Sequence, residues 1–363
     1  MTSADAAHRR LLNQRIAGER FGRPDEVVRW MGAMQAQDYR QALWAIGLRT
    51  TSATLADVEE AIAKRTIVQT WPLRGTLHFV AAENAQWMLE LLAPRRLAAD
   101  RSRRRQLELD EDLLARCTHL VREALQGGGQ LTRSGVMRLL EEARISPSGQ
   151  RGYHILWYLA QIGLICLGPM RDKEQTFVLL DEWVPASRRL ARADALAELA
   201  ERYFASHGPA TVDDFAGWAG LTLGDARAGL EAVKAGLLAE QRDAKAYWSA
   251  ADTPDHAMHD TSGLYLLPGF DEYLLGYKDR GDVLAPAHAH NVAPGGNGIF
   301  FPIIVAGGQV VGTWKRALKQ RGVAVTLSPF TPLGISKERL ADAAQRFSDF
   351  LGLPLVSMET AAD

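Results

Sequence analysis

"LTRSGVMRLLEEA" (Leu131–Ala143) is followed by an "SPSG" turn, by "YHILWYLAQIG" (Tyr153–Gly163), and by "LICLG" and "TFVLLD" on either side of polar "PMRDKEQ". Thr132 is placed to cap a helix, and Val136, Leu139 and Leu140 recur at helical spacing. The second segment reads as another helix, and the last two as β-rich runs joined in a hairpin. Helix, turn, helix and hairpin make a winged-helix unit, whose second helix can enter a DNA major groove.

The same order recurs on both sides. "ATVDDFAGWAG" (Ala210–Gly220) offers Thr211 as cap and Asp213 and Asp214 in the first turn, where a helix dipole favours acids. "TLGDARAGLEAVKAG" is its second helix, and "LLAEQ" with "AYWSA" its wing. An earlier, less regular copy has helices at Leu11–Ala17, Asp25–Met34 and Leu55–Ala63, then a hairpin of "IVQTW" and "GTLHFV" across Pro72-Leu73-Arg74. One winged helix can be a plain scaffold; three in tandem point to nucleic acid. From about Leu264 short apolar runs broken by Gly and Pro take over, with Gly307-Gly308 a strong hairpin turn, and a last helix, Lys337–Leu351, closes the chain. The expected fold class is α+β: three tandem winged-helix units (1–105, 106–188, 189–255), then a β-rich, barrel-like domain (256–363).

Bulk properties narrow the function. A chain of 363 residues can hold several domains, and 47% apolar residues can bury their cores. Cys117 and Cys166 have no paired-thiol spacing, which fits a reducing compartment. "MTSADAAHRRLLNQ" has no signal-peptide core, and no run reaches the about 18 apolar residues of a membrane span; a cytoplasmic protein without membrane association is expected. Net charge −1 excludes a uniformly basic coat. Arginines do cluster at Arg95, Arg96, Arg101, Arg103, Arg104 and Arg105, either to meet phosphates or to pair with Asp100, Glu108 and Asp110.

"MQAQDY" (Met34–Tyr39) follows an amphipathic helix. On a continuing helix Gln35 and Gln37 would point about 200° apart, so joint action requires the helix to end near Met34 and the chain to run extended. By themselves, two amides here read as a helix C-cap.

"MQAQDYRQALWAIGLR" (Met34–Arg49), "TWPLRGTLHFV" (Thr70–Val80), "LLPGFDEYLLGYKDR" (Leu266–Arg280) and "GGQVVGTWKR" (Gly307–Arg316) together resemble the AlkZ-type winged-helix DNA glycosylases of the helix-turn-helix 42 superfamily. The resemblance implies a C-shaped body around duplex DNA and excision of N7-alkylated purines. Some members unhook interstrand crosslinks, in DNA repair or self-resistance. It also implies a catalytic Gln-apolar-Gln signature, matched by Gln35, Ala36 and Gln37; a sister group has Asp at the second position, where this chain has Gln37 and places Asp38 next.

An N7-alkylpurine is cationic and already a good leaving group, so the enzyme must chiefly aim a water at C1′. Orientation alone can contribute about 7–11 kcal/mol in favourable systems, and an amide can orient a water without accepting its proton.

Arg74, Thr76 and His78 are DNA-contact candidates on one hairpin face. Arg74 can equally pair with a scaffold acid, and His78 can be structural. Lys278 and Arg280 can face phosphates, or Asp279 and Asp282. Asp271 and Glu272 can assist the water or sit in an acidic first helical turn. The Ala306–Val310 hairpin can enter a groove. Trp71, Trp157 and Trp218 read as core. "DHAMHD" (Asp255–Asp260) and "AHAH" (Ala287–His290) lack metal-site patterns, and "PGGNG" (Pro294–Gly298) lacks the end of a phosphate loop.

The reading is a monofunctional, monomeric glycosylase acting on double-stranded DNA containing alkylated purines, with no cofactor and no metal. Its rivals are a non-enzymatic winged-helix DNA-binding protein or regulator, and a lyase-competent enzyme using a lysine.

Overall fold

The computed structural model describes residues 1–171, 174–251, 263–296, 298–332 and 334–360. The chain is α+β and forms two compact units, one of residues 1–60 with 197–363 and one of residues 61–196. Of the expected boundaries, 105 falls inside the helix Arg101–Gln106 and 188 between the helices Leu180–Trp183 and Arg192–His207; 255 lies outside the described residues.

In the 61–196 unit, Thr132 caps the helix Arg133–Glu142 by accepting from the Gly135 amide, as its position in the sequence suggests. The helix Arg151–Gln161 and the hairpin Ile165–Arg171 with Glu174–Leu179 follow. The hairpin Ile67–Thr70 with His78–Ala81 belongs to the same sheet, joined through Gln69 opposite Leu167. The wings of the first two copies are therefore continuous rather than separate. Trp71 and Trp157 lie in the core beneath them with Leu114, Val121, Leu159 and Phe177. Each such large apolar side chain, fully buried, stabilises by about 1.5–3 kcal/mol. Cys117 and Cys166 are free and buried, and burial pushes the Cys117 thiol up to about 11.

In the other unit the first helix is Ser3–Asn13, earlier than the expected Leu11–Ala17, because Thr2 and Asp5 form a capping box and Arg15 turns left-handed (φ 57°). The second is Pro24–Met31. It ends before Met34 because Gly32 takes φ 76°, a conformation glycine adopts at little cost. The helices Val212–Ala219 and Leu223–Val233 and the wing Leu237–Arg242 with Lys245–Ala250 match the expected copy, with Thr211 and Asp214 forming a capping box.

The C-terminal β-region is a five-stranded sheet ordered Leu355–Thr360, Gly322–Pro329, Gln309–Lys319, Ile303–Ala306, Leu264–Leu267. Leu355–Thr360 follows the last helix and pairs parallel to Gly322–Pro329, so a strand rather than that helix ends the described chain. The helix Lys337–Leu351 packs on Tyr39–Gly47 through Trp44, Phe347 and Phe350. Gly47 makes room for this, since a Cβ there would lie 2.3 Å from the Phe350 ring.

Arg49 and Asp271 join this unit internally. Both are buried, and Arg49 donates to the two carboxylate oxygens at 2.8 and 2.9 Å. Removing one partner strands a buried charge, so Arg49→Ala should lower unfolding free energy by about 3–5 kcal/mol. The Arg49→Ala/Asp271→Ala double variant should lose clearly less than the sum of the single losses in urea titrations. Additive losses would show that the pair is not coupled.

Candidate active site

Beyond Gly32 the chain runs as the short strand Ala33–Gln35, and the next helix, Tyr39–Gly47, starts at Asp38, whose side chain caps it by accepting from the Gln41 amide. Between the strand and the helix the chain is non-helical and bends at Gln37 and Asp38, and the two glutamine side chains meet there. Ala36 is buried, while the Gln35 amide nitrogen donates to Gln37 Oε1 at 2.5 Å. Gln35 is 9% exposed and Gln37 is exposed. The two glutamines thus form one hydrogen-bonded unit with its outer member open to solvent. Asp38 is committed to its cap, and burial pushes the Tyr39 phenol up to about 12, so that hydroxyl keeps its proton near neutral pH.

Beneath the pair lies "FDEY". Phe270 is left-handed (φ 60°), and Asp271 caps the short helix Glu272–Leu275 through the Tyr273 amide. Asp271 also holds Arg49, so both its oxygens are occupied inside the protein; it is not placed to assist a water. Glu272 is 1% exposed; one oxygen accepts from the Gln35 backbone N–H at 2.9 Å, the other from the Trp218 indole at 3.0 Å. It stands in the acidic first turn of that helix, as one of the two readings has it, but is buried rather than on the surface. His207 approaches the same oxygen, with Nε2 at 3.7 Å. No sequence pattern singled out His207, and Trp218, a core residue as expected, also serves as a hydrogen-bond donor.

The other candidates divide. His78 is fully buried, its Nδ1 2.9 Å from the Thr76 carbonyl and its Nε2 3.5 Å from Arg74. It is therefore not on an exposed face with Arg74: Arg74 and Thr76 lie in the turn before the strand, and the strand His78–Ala81 is buried on both faces. Thr76 is half-buried, its hydroxyl donating to Leu73 O, and Arg74 is half-buried with φ 55°. Lys278 is exposed, 3.9 Å from Asp213. Arg280 donates to Leu274 O and stacks over Phe300. Asp279 and Asp282 pair instead with Lys245 and Arg242. The Gly307-Gly308 turn has the expected left-handed glycines but does not project: Gly307 O meets His8 and Gly308 O accepts from Tyr273. The open hairpin is the next one, with Leu318, Lys319, Gln320 and Arg321 exposed at its tip.

A cleft of about 360 Å³, lined by Gln41, Phe301, Pro302, Thr313, Lys315 and Arg316, adjoins the Asp38-capped helix. Burial draws the Arg316 guanidinium below its ordinary value, and Asp38 acts against this. Lys315 and Arg316 end one of the quoted stretches, yet pattern alone gave them no role. In the arginine cluster Arg104 faces Asp100, whereas Glu108 faces Arg151 and Asp110 caps a helix; Arg101 and Arg105 are exposed. The "DHAMHD" stretch lies outside the described residues. His288 of "AHAH" stacks on Phe330, and among the described residues no three His, Cys, Asp or Glu side chains gather as a metal site. Nor, among them, is any helix long and apolar enough to cross a membrane.

A winged-helix α+β protein presenting a glutamine pair above a buried carboxylate is the class the fold and site define. The model of the DNA glycosylase AlkZ-like family matches residues 28–350, and the chain belongs to that family. It is similar to the "Interstrand DNA cross-link repair glycosylase" of Streptomyces sahachiroi, 29% identical over 326 residues, which cover 80% of this chain and 81% of that protein. The solved structure of Streptomyces sahachiroi DNA glycosylase AlkZ matches with TM-score 0.84 at 25% identity, over 99% of this chain and 100% of that one. The protein is a DNA glycosylase, and DNA is its partner.

Burial disfavours the His207 imidazolium and lowers its pKa below the ordinary 6.5. The unfolded chain therefore binds more protons between the two values, and stability falls as pH drops through 6.5 toward the folded value. Urea titrations between about pH 7.5 and 5.5 should show wild type losing more stability than His207→Asn; parallel losses would contradict this burial effect.

Proposed function

We propose that the chain is a monofunctional, monomeric glycosylase that hydrolyses the N-glycosidic bond of N7-alkylated purines in double-stranded DNA, with Gln35 and Gln37 aiming the water. The observation that carries this is the amide–amide hydrogen bond between them, with Gln37 exposed and Gln35 anchored below. A carboxamide can accept from a water through oxygen and donate through nitrogen. Because Gln35 donates to Gln37, the amide orientations are linked, and a water bound to the pair has a defined direction.

An amide takes no proton at neutral pH, so the proton released on attack passes to solvent. That suffices only where the base departs readily. Alkylation at N7 puts a positive charge on the purine, which cleavage neutralises, and selectivity for cationic lesions follows from chemistry before any base edge is read. The relative named as a cross-link repair glycosylase supports extending the substrate class to interstrand crosslinks. Contacts to phosphates are assigned to Lys315 and Arg316 in the cleft, to exposed Lys278, Arg101 and Arg105, and to the Lys319–Arg321 tip, with Arg74 and Thr76 of the first hairpin's turn as further DNA contacts.

Lys315 lines the cleft, so sequence distance from Gln37 does not exclude a lysine nucleophile. The reading predicts no borohydride-trapped adduct. On a 7-methylguanine duplex, Gln35→Ala and Gln37→Ala should each slow base release by about 10²-fold with DNA binding retained. Release at the wild-type rate by the double variant would reject the assignment. Arg316→Ala should weaken binding and reduce the salt slope by about 1; an unchanged slope would remove Arg316 from the phosphate contacts.

A further inference from the structure

Glu272 and His207 form a buried arrangement that water aiming alone does not explain. Ser206 Oγ lies 2.6 Å from Arg202 O, a contact that the hydroxyl hydrogen must fill. Ser206 Oγ can then only accept from His207 Nδ1, 2.8 Å away, which puts the ring hydrogen on Nδ1. Nε2 is left with a lone pair, fully buried and without a hydrogen-bond partner, aimed at Glu272 Oε2. Lone pair facing carboxylate oxygen is a vacant proton position.

The ring is held there. It stacks on Tyr203 at 4.8 Å. A Cβ on residue 276 would fall 2.5 Å from His207 Cδ2, so Gly276 keeps the space clear.

The surrounding ionisable groups are accounted for. Arg49 and Asp271 neutralise each other. Arg10 meets Asp282 and lies over Tyr277. Asp214 accepts from Thr211 and from the Lys278 amide. Tyr203 and Tyr277 are kept neutral by burial.

We propose that Glu272 is a positioning residue for base excision: Oε1 fixes the Gln35 main chain, the carboxylate places negative charge behind the glutamine pair, and a proton taken up at His207 Nε2 cancels that charge. The inference rests on Gln35 and Gln37 being the excision pair. As the bond to the base breaks, positive charge develops on the sugar, and a fixed anion in a low-dielectric interior stabilises it without reorganising. Protonation of His207 turns the facing groups into an ion pair and removes that field. Because burial disfavours the imidazolium, the active form persists at neutral pH and is lost on acidification.

The test is single-turnover release of 7-methylguanine from duplex DNA across pH, corrected for uncatalysed loss, with affinity and thermal melts measured alongside. Wild type should slow as pH falls below about 6.5. Glu272→Gln, which keeps the shape and removes the charge, should be at least about tenfold slower near pH 7.5, with affinity nearly unchanged and no acid limb. Glu272→Asp should recover part of the rate and retain the limb, and His207→Asn, which can still donate to Ser206, should lose it. Wild-type rate and profile in Glu272→Gln would overturn the proposal, as would an acid limb surviving in His207→Asn; if Glu272→Gln does not fold, the latter decides. Gln35→Ala in parallel separates the two ideas. Full release by Gln35→Ala rejects the glutamine pair itself, whereas its loss alongside full release by Glu272→Gln rejects only the role of Glu272.

Discussion

The buried ion pair of Arg49 and Asp271 is the constraint on which the site's geometry depends. A guanidinium has five N–H donors, and Arg49 uses all of them. Nε donates to Gln14 O, one terminal nitrogen to Ala45 O and Asp271, and the other to Gln14 Oε1 and Asp271. A lysine could not reproduce this fork. The pair joins the end of the helix that follows the glutamines to the start of "DEYLLGY". With Asp271 pinned and capping its helix, Glu272 has one place to go, under the Gln35 amide. The sequence of causes runs from Arg49 to Asp271, to Glu272, to the backbone of Gln35.

This also explains why two stretches more than two hundred residues apart, Met34–Arg49 and Leu266–Arg280, carry the family resemblance together. Much of the first holds the second: Gln41 accepts from the Gly269 amide, Trp44 donates to Leu266 O, and Arg49 holds Asp271. Gly269 and Gly276 are needed for space, the former because a Cβ would meet Phe300 O at 2.7 Å. The motifs are two halves of one packed joint.

Local rules carried the fold far. The caps at Thr132 and Thr211, the wing hairpins and the helix Lys337–Leu351 are set by residues within a few positions of each other, so periodicity and capping chemistry find them. The end of the helix ahead of Gln35 also follows from a local demand, met at Gly32, two residues before Met34. What could not be read was tertiary. The strand Leu355–Thr360 has only a half-buried, irregular pattern, so no period announces it. His78 lies on a strand buried on both faces, so alternation from Arg74 and Thr76 could not tell its exposure. Arg280 finds a carbonyl and a ring, and the Gly307-Gly308 turn is covered by the first helix. His207 sits at a helix end with no motif around it, and only its distance to Glu272 gives it meaning. Alternation and charge identify which side chains can do chemistry; whether each meets solvent or a partner depends on contacts far away in sequence.

A polyanionic substrate and a cationic transition state make opposite demands on such a site. An exposed carboxylate beside the sugar would stabilise the developing charge but repel the flanking phosphates, and it would be screened by water and salt. Neutral amides at the opening avoid the repulsion and supply direction. In the proposed mechanism the anion lies behind them at Glu272, out of water, where its field reaches the sugar unscreened while phosphates meet arginine and lysine outside. Asp38, the acid that does stand exposed beside the pair, is turned to a helix N-terminus, whose dipole offsets its charge. In that mechanism two glutamines with a carboxylate beneath them do what a glutamine and an aspartate at the surface would do, with the negative charge moved one layer inward.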